Sequence, residues 1–196
     1  SSEELAHVRQ HYQLPARFFL AVGTLQPRKN IGTLIAAHRL LAPQLRQDIP
    51  LVVVGKAGWG CEDVVAQLAH GDEGALRWLR YVPDADMLPL LHQASALVFP
   101  SLHEGFGLPV LEAFAARTPV ISANTTALAE IAPGGGALMV NPHSSGELAE
   151  AMRYMAQASS LQVQQLQYQG VTWAQKFTWQ ATQQGTLAAY QQLLSS

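Results

Sequence analysis

The sequence predicts an α/β domain: a doubly wound parallel sheet, Rossmann-like, with helices on both faces and additional helices at the carboxyl end. Three observations lead there. Six short runs rich in Val, Leu, Ile or aromatics recur along the chain, separated by longer helical patterns. The runs are apolar almost without interruption, as strands buried on both faces are. Their alternation with helix-length segments is what parallel pairing demands, since each return must cross over the sheet in a right-handed sense.

In chain order the expected strands are RFFLAVG (17–23), PLVVVG (50–55), LRWLRYV (76–82), ALVFPS (96–101), TPVISA (118–123) and GALMV (136–140). The helical segments between and after them are 31–45, 61–68, 84–94, 108–117, 127–131 and 145–156. Beyond Glu147 the strands stop, and two helical stretches follow, at about 160–175 and 178–194. Twelve glutamines fall between Gln157 and Gln192, and Lys176 is the only charge there. Leu161, Leu166, Leu187, Tyr190 and Leu194 keep helical spacing in this tract, so the glutamines read as polar solvent faces rather than an aggregating run.

The 196 residues suit one ordinary domain, or one half of a two-domain protein. With 48% hydrophobic and 13% charged residues, the chain has the composition of a well-buried unit and not of a disordered one. A net charge of −2 gives no electrostatic reason to expect nucleic acid. The single Cys61 excludes a disulfide framework and a cysteine metal cluster, and fits a reducing compartment. No apolar run approaches a membrane span, and SSEELAHVRQ lacks a signal-peptide pattern. The expectation is a cytoplasmic domain of residues 1–196, without linker or repeat.

Open parallel sheets bind ligands at the carboxyl ends of their strands, and three strand ends here carry unusual residues. In AVGTLQPRKNIGTL, Gly23 closes a strand, Thr24 follows, and Arg28 and Lys29 precede Asn30, a good N-cap. Cations at a helix amino terminus oppose its dipole, a conflict expected where cations and free amides meet an anion together. The bland alternative is a solvated basic turn. In VVVGKAGWG, Gly55 permits close approach of backbone to a ligand or a neighbouring strand, and Lys56 reads as a rim residue. The spacing fits neither a P-loop nor a dinucleotide fingerprint.

The third strand end is SLHEGFGLPVLEAFAA (101–116), which sets Glu104 and Glu112 on either side of a glycine-proline turn. Gly105 and Gly107 keep the backbone bare, Pro109 suits the first turn of a helix, and amides near Gly107 would face an anion. The two carboxylates can then reach opposite ends of a ligand whose phosphates rest on the glycines, each accepting hydroxyl hydrogen bonds. Glu112 is also favoured simply by the helix dipole; Glu104, in a glycine loop, is not. A glycoside hydrolase using the pair is disfavoured, because the glycines between them point to phosphate.

EGFGLPVLE resembles the double-glutamate signature of retaining glycosyltransferases with the GT-B architecture. VGTLQPRKN is similar to the donor domain of glycosyltransferase family 4, and RYVPDADMLPLLHQASALVFPS and FTWQATQQGTLAAYQQLL resemble the family in order and spacing. The resemblance implies that this is the carboxyl-terminal, nucleotide-sugar-binding half of such an enzyme. It implies Glu104 near the transferred sugar, Glu112 on the ribose, and Gly105, Phe106, Gly107 and Leu108 around the sugar and distal phosphate. Lys29 would neutralise the departing diphosphate, with Arg28 in a less secure supporting role, because Thr24 stands where many members carry arginine. Backbone groups at Val82 would meet the nucleobase. Similarity of GTLQPRKN and GKAGWG to bacterial mannosyltransferases of surface-polysaccharide assembly favours GDP-mannose as donor and a hexosyltransferase activity.

The family needs no metal, and no cofactor is expected beyond the nucleotide sugar as substrate. Asp84-Ala85-Asp86 resembles a metal-binding D-x-D, yet after Pro83 it reads better as an N-cap with a first-turn acid. His103 reads as a strand-end histidine packed under the loop. Nothing in the chain resembles the family's amino-terminal acceptor domain, so the chain alone is expected to bind nucleotide weakly and to transfer nothing. Its expected partners are that domain and a glycan or lipid-linked acceptor. Peripheral association with the inner face of the cytoplasmic membrane would come through the absent half. A carboxyl-terminal helix that docks on that half, or pairs with a second copy, would leave apolar surface exposed. The alternatives are a glucosyltransferase or epimerase-like domain using UDP or ADP sugars, and a non-catalytic nucleotide-binding scaffold.

Overall fold

All six apolar runs become strands, each shorter than its run: β1 (Phe19–Val22), β2 (Leu51–Val54), β3 (Leu76–Leu79), β4 (Ala96–Phe99), β5 (Val120–Ala123) and β6 (Leu138–Val140). The structure, a computed structural model, describes residues 1–194. Among them the strands form one sheet in the order β3-β2-β1-β4-β5-β6, and every pair is parallel. Phe19 lies opposite Leu51 on one side and Ala96 on the other.

Successive side chains of a strand point to opposite faces, and the core divides accordingly. Phe19, Ala21, Leu51, Val53, Ala96 and Val98 pack on the face covered by α2 (Ile31–Arg39), α4 (Glu62–His70) and α8 (Ser145–Gln157). Leu20, Val52, Val54, Leu97 and Phe99 pack on the other, under α1 (Ser2–His11), α5 (Asp84–Gln93), α6 (Leu108–Ala115) and α7 (Leu128–Ile131). With both faces covered, β2, β4 and β5 are buried at every residue, which is why their sequences do not alternate.

Three local features differ from the sequence expectation. Helix α1 was not anticipated. It opens on a capping box in which the Ser1 hydroxyl accepts the Glu4 amide and the Glu4 side chain reaches back to the Ser1 backbone. It packs along α5, where Tyr12 Oη donates to Asp86 Oδ2 at 2.7 Å and Arg9 Nε to Gln93 Oε1 at 2.9 Å. Segment 31–45 is two helices, because Pro43 cannot continue α2: Ala42 before it is extended, and α3 (Pro43–Asp48) restarts with Pro43 in its first turn. At α5 the N-cap position belongs to Pro83, so Asp84 and Asp86 both lie in the first turn and neither side chain caps the helix.

Helix α9 (Ser160–Ala174) crosses α6 at Gly170, whose absent Cβ would lie 2.7 Å from the Phe114 ring. Helix α10 (Trp179–Leu194) buries no residue. None of the described helices is long and apolar enough to cross a membrane. Strand order reverses between β1 and β4, so a crevice opens at their carboxyl ends, the place where open parallel sheets receive ligands.

Candidate functional site

The β1 side of the crevice is built by close backbone packing. Gly23 (φ 140°) ends the strand, and a Cβ there would meet Lys29 Cε at 3.1 Å, because the lysine stem passes over it. A Cβ on Gly55 would lie 2.0 Å from the Gly23 carbonyl oxygen, so the Gly55 backbone approaches a neighbouring strand end rather than standing open for a ligand. A single 3-10 turn, Pro27–Lys29, follows β1 and carries both cations.

Asn30 does not cap α2. It adopts a left-handed conformation (φ 58°) with no side-chain cap bond. Its Nδ2 donates to Pro100 O at 3.0 Å and Pro142 O at 2.7 Å, while its Oδ1 accepts from Thr33 Oγ1 at 2.7 Å. Asn30 thus ties the turn after β1 to the chain leaving β4 and β6. The sequence carried only the cap signal; the tie joins segments 70 and 112 positions apart and left no local trace.

Of the two cations in the basic turn, Arg28 is exposed and only Lys29 is withdrawn from solvent. Lys29 is 8% exposed, its ammonium donates to Glu104 Oε1 at 2.6 Å, and it lies 4.7 Å from the centre of the Phe99 ring. Arg28 Nη1 donates to Glu104 Oε2 at 2.9 Å. The anion that the cation pair meets is therefore the protein's own carboxylate, clasped through both oxygens. Burial pushes the Glu104 carboxyl upward, but the hydrogen bond from Lys29, with the charges of Lys29 and Arg28, outweighs it and holds the group below its ordinary value. Two cations against one carboxylate leave a net positive charge in the crevice.

Across from them, Gly107 (φ 102°) stands at the N-cap of α6, and Pro109 lies in the first turn. No side chain caps this helix, so its first-turn amides and dipole present a positive end. A Cβ on Gly105 would meet nothing within 4 Å, so that part of the loop is open. Leu108 is exposed, and the half-exposed Phe106 ring meets Phe177 edge-on at 6.2 Å. Glu112 points to solvent from α6, between buried Leu111 and Ala113. His103 is exposed, not packed beneath the loop.

Arg28, Lys29 and Glu104 are brought into one cluster, with Gly23 beneath it. Thr24 and Lys56 are exposed, and the Lys56 ammonium lies 5.1 Å from the centre of the Tyr81 ring rather than on the cluster. Val82 is buried. Among the described residues, no group of three or more His, Cys, Asp or Glu side chains could hold a metal ion. The chemistry on offer is anion binding at a cation pair, Lys29 buried and Arg28 exposed, and at a helix amino terminus, with two carboxylates as hydroxyl acceptors.

The protein family described as "Glycosyl transferases group 1" matches residues 6–169. O-antigen chain mannosyltransferase B of Escherichia coli is 36% identical over 98% of the chain and 51% of its own length. Serotype-specific mannosyltransferase WbdA of Escherichia coli is 31% identical over the whole chain and 24% of its own length. Among solved structures, sucrose-phosphate synthase from Thermosynechococcus elongatus superposes with a TM-score of 0.74 at 29% identity, over 97% of this chain and 49% of that one. The chain thus spans about half or less of the length of each of these relatives.

Proposed function

The chain belongs to the group 1 glycosyl transferase family, and on that premise we propose that it is the donor-binding half of a retaining hexosyltransferase. The reaction moves mannose from GDP-mannose to a glycan or lipid-linked acceptor in surface-polysaccharide synthesis, and the acceptor side is supplied by a separate amino-terminal domain. The observation that carries this reading is the Glu104 carboxylate held by Lys29 at 2.6 Å and Arg28 at 2.9 Å in the β1–β4 crevice, beside the uncapped amino terminus of α6. The two Escherichia coli mannosyltransferases favour mannose over other hexoses.

When the bond between the sugar's anomeric carbon and the diphosphate breaks, its electron pair leaves on the diphosphate and positive charge develops on the sugar. Lys29, Arg28 and the α6 amides meet the departing anion with donors already in place, which is where fixed electrostatics lowers a barrier. Glu104, held among those cations, becomes the acceptor for sugar hydroxyls once the diphosphate shares its partners. Glu112 takes the ribose hydroxyls.

Calorimetric titration of the chain with GDP, UDP, ADP and their mannose and glucose conjugates tests this. One nucleotide should bind selectively, and Glu112→Ala should weaken it about tenfold through the lost ribose hydrogen bonds. Selective binding of UDP or ADP would replace mannose transfer by glucose chemistry, and binding unaffected by Glu112→Ala would remove the residue from the site. The 196-residue chain by itself transfers nothing; turnover by the purified chain would overturn that part.

A further inference from the structure

We propose that Thr126 is a positioning residue, which fixes the Glu104 backbone through a hydroxyl carried on a strained left-handed residue. Thr126 has φ 50°. Five other described non-glycine residues have positive φ, and none is β-branched, the class that tolerates this region least. Strain of this kind persists where the surroundings over-determine it, and is a pointer to function.

The reason for retaining it lies across the crevice. Thr126 Oγ1 accepts the Glu104 N–H at 3.2 Å. The neighbouring Thr125 Oγ1 lies 3.4 Å from Ser101 O and 3.5 Å from Leu102 O, and Leu128 Cδ2 fills the space where a Cβ on Gly107 would sit. From the other side, Leu102 N–H donates to Arg28 O at 2.8 Å. The glutamate loop is thus slung between the turn after β1, which carries its cations, and the loop after β5. Thr126 is the tie at the glutamate itself. A glycine at 126 would relax the backbone and release the tie, so stability and positioning move in opposite directions.

That opposition makes the test. In Thr126→Gly the melting temperature should rise by about 2–4 °C, while the Glu104 amide, followed by NMR hydrogen exchange, should exchange at least tenfold faster. Thr126→Ser keeps the hydroxyl and should retain the protection; Thr126→Ala keeps the strain without the hydroxyl and should lose it. Because Thr126→Gly is the more stable protein, faster exchange at Glu104 cannot come from global unfolding. Exchange within twofold of wild type in Thr126→Gly, or an unprotected Glu104 amide in wild type, overturns the proposal. Its consequence for function rests on the donor-site reading: Thr126→Gly and Thr126→Ala should weaken GDP-mannose about threefold to tenfold, with Thr126→Ser near wild type. Failure of wild type to bind any sugar nucleotide would sink that reading and leave the exchange result to decide the positioning role.

Discussion

Lys29 and Glu104 meet at 2.6 Å in a nearly buried setting, and the two side chains are each 10% exposed. Removing the carboxylate charge leaves a buried ammonium without its counter-ion, so Glu104→Gln should lower stability by about 2–3 kcal/mol, below the cost at a fully buried pair because some exposure remains. The acid response follows from the same pair and from His38. Burial holds the His38 imidazole below its usual 6.5, with Nε2 against Ile49 O at 3.2 Å. The unfolded chain therefore binds a proton there that the folded chain refuses, and stability falls as pH drops through 6.5. Glu104 is depressed, so its stabilisation is present above about pH 4.5 and is lost as pH falls through the lower folded value. Denaturant titrations from pH 7.5 to 3.5 should show two declines. His38→Gln should flatten the upper one and Glu104→Gln should reduce the lower one, leaving the share of Asp72, which the hydrogen bond from Arg39 also depresses. A wild-type curve flat between pH 7 and 5.5 would contradict the His38 assignment. The glutamate spacing was legible in the sequence, since it lies within one loop and one helix. The ion pair was not, because 75 residues separate its members and only the sheet order joins them.

At the scale of elements, legibility followed burial. Strands covered on both faces leave continuous apolar runs, and all six could be read. Helix α1 left little trace, for Val8 is its one fully buried residue and its capping box alone marked it. The glycines of α9 and α10 separate packing from propensity. Gly170 lies in α9 where that helix presses on Phe114, and a second glycine, Gly135, meets the same ring. Gly170→Ala would gain about 1 kcal/mol of helix propensity but force a methyl to within 2.7 Å of the ring edge. Overpacking of that kind costs about 1–3 kcal/mol, so the net effect should be a loss of up to about 2 kcal/mol in urea denaturation. Gly185 in α10 has nothing within 4 Å of its Cβ position. There the propensity term acts alone, and Gly185→Ala should raise helix content without lowering the midpoint. Stabilisation by Gly170→Ala would mean that α9 sits further from α6 than these contacts require.

Across the whole molecule, stability and apolar surface are unevenly shared. The two half-cores draw on both faces of the sheet and on helices up to α9, whereas α10 contributes no buried residue while Trp179, Leu187, Tyr190 and Leu193 are more than half exposed. A helix of 16 residues that buries none of them is marginal in water, so it adds little to the cooperative unit. Ending the chain after Thr178 should therefore leave the melting temperature within about 2 °C of the full chain, a change of under about 1 kcal/mol at this size. The cut keeps Trp173, whose Nε1 donates to Ile131 O at 2.7 Å, and Phe177, which meets the Phe106 ring, so the glutamate loop retains its neighbours. Contiguous apolar surface of the kind on α10 promotes association; sedimentation should accordingly show less self-association for the shortened chain at the same concentration. A fall of 5 °C or more on truncation would mean that α10 belongs to the folding core after all, and that its exposed side chains are not where its stabilisation lies.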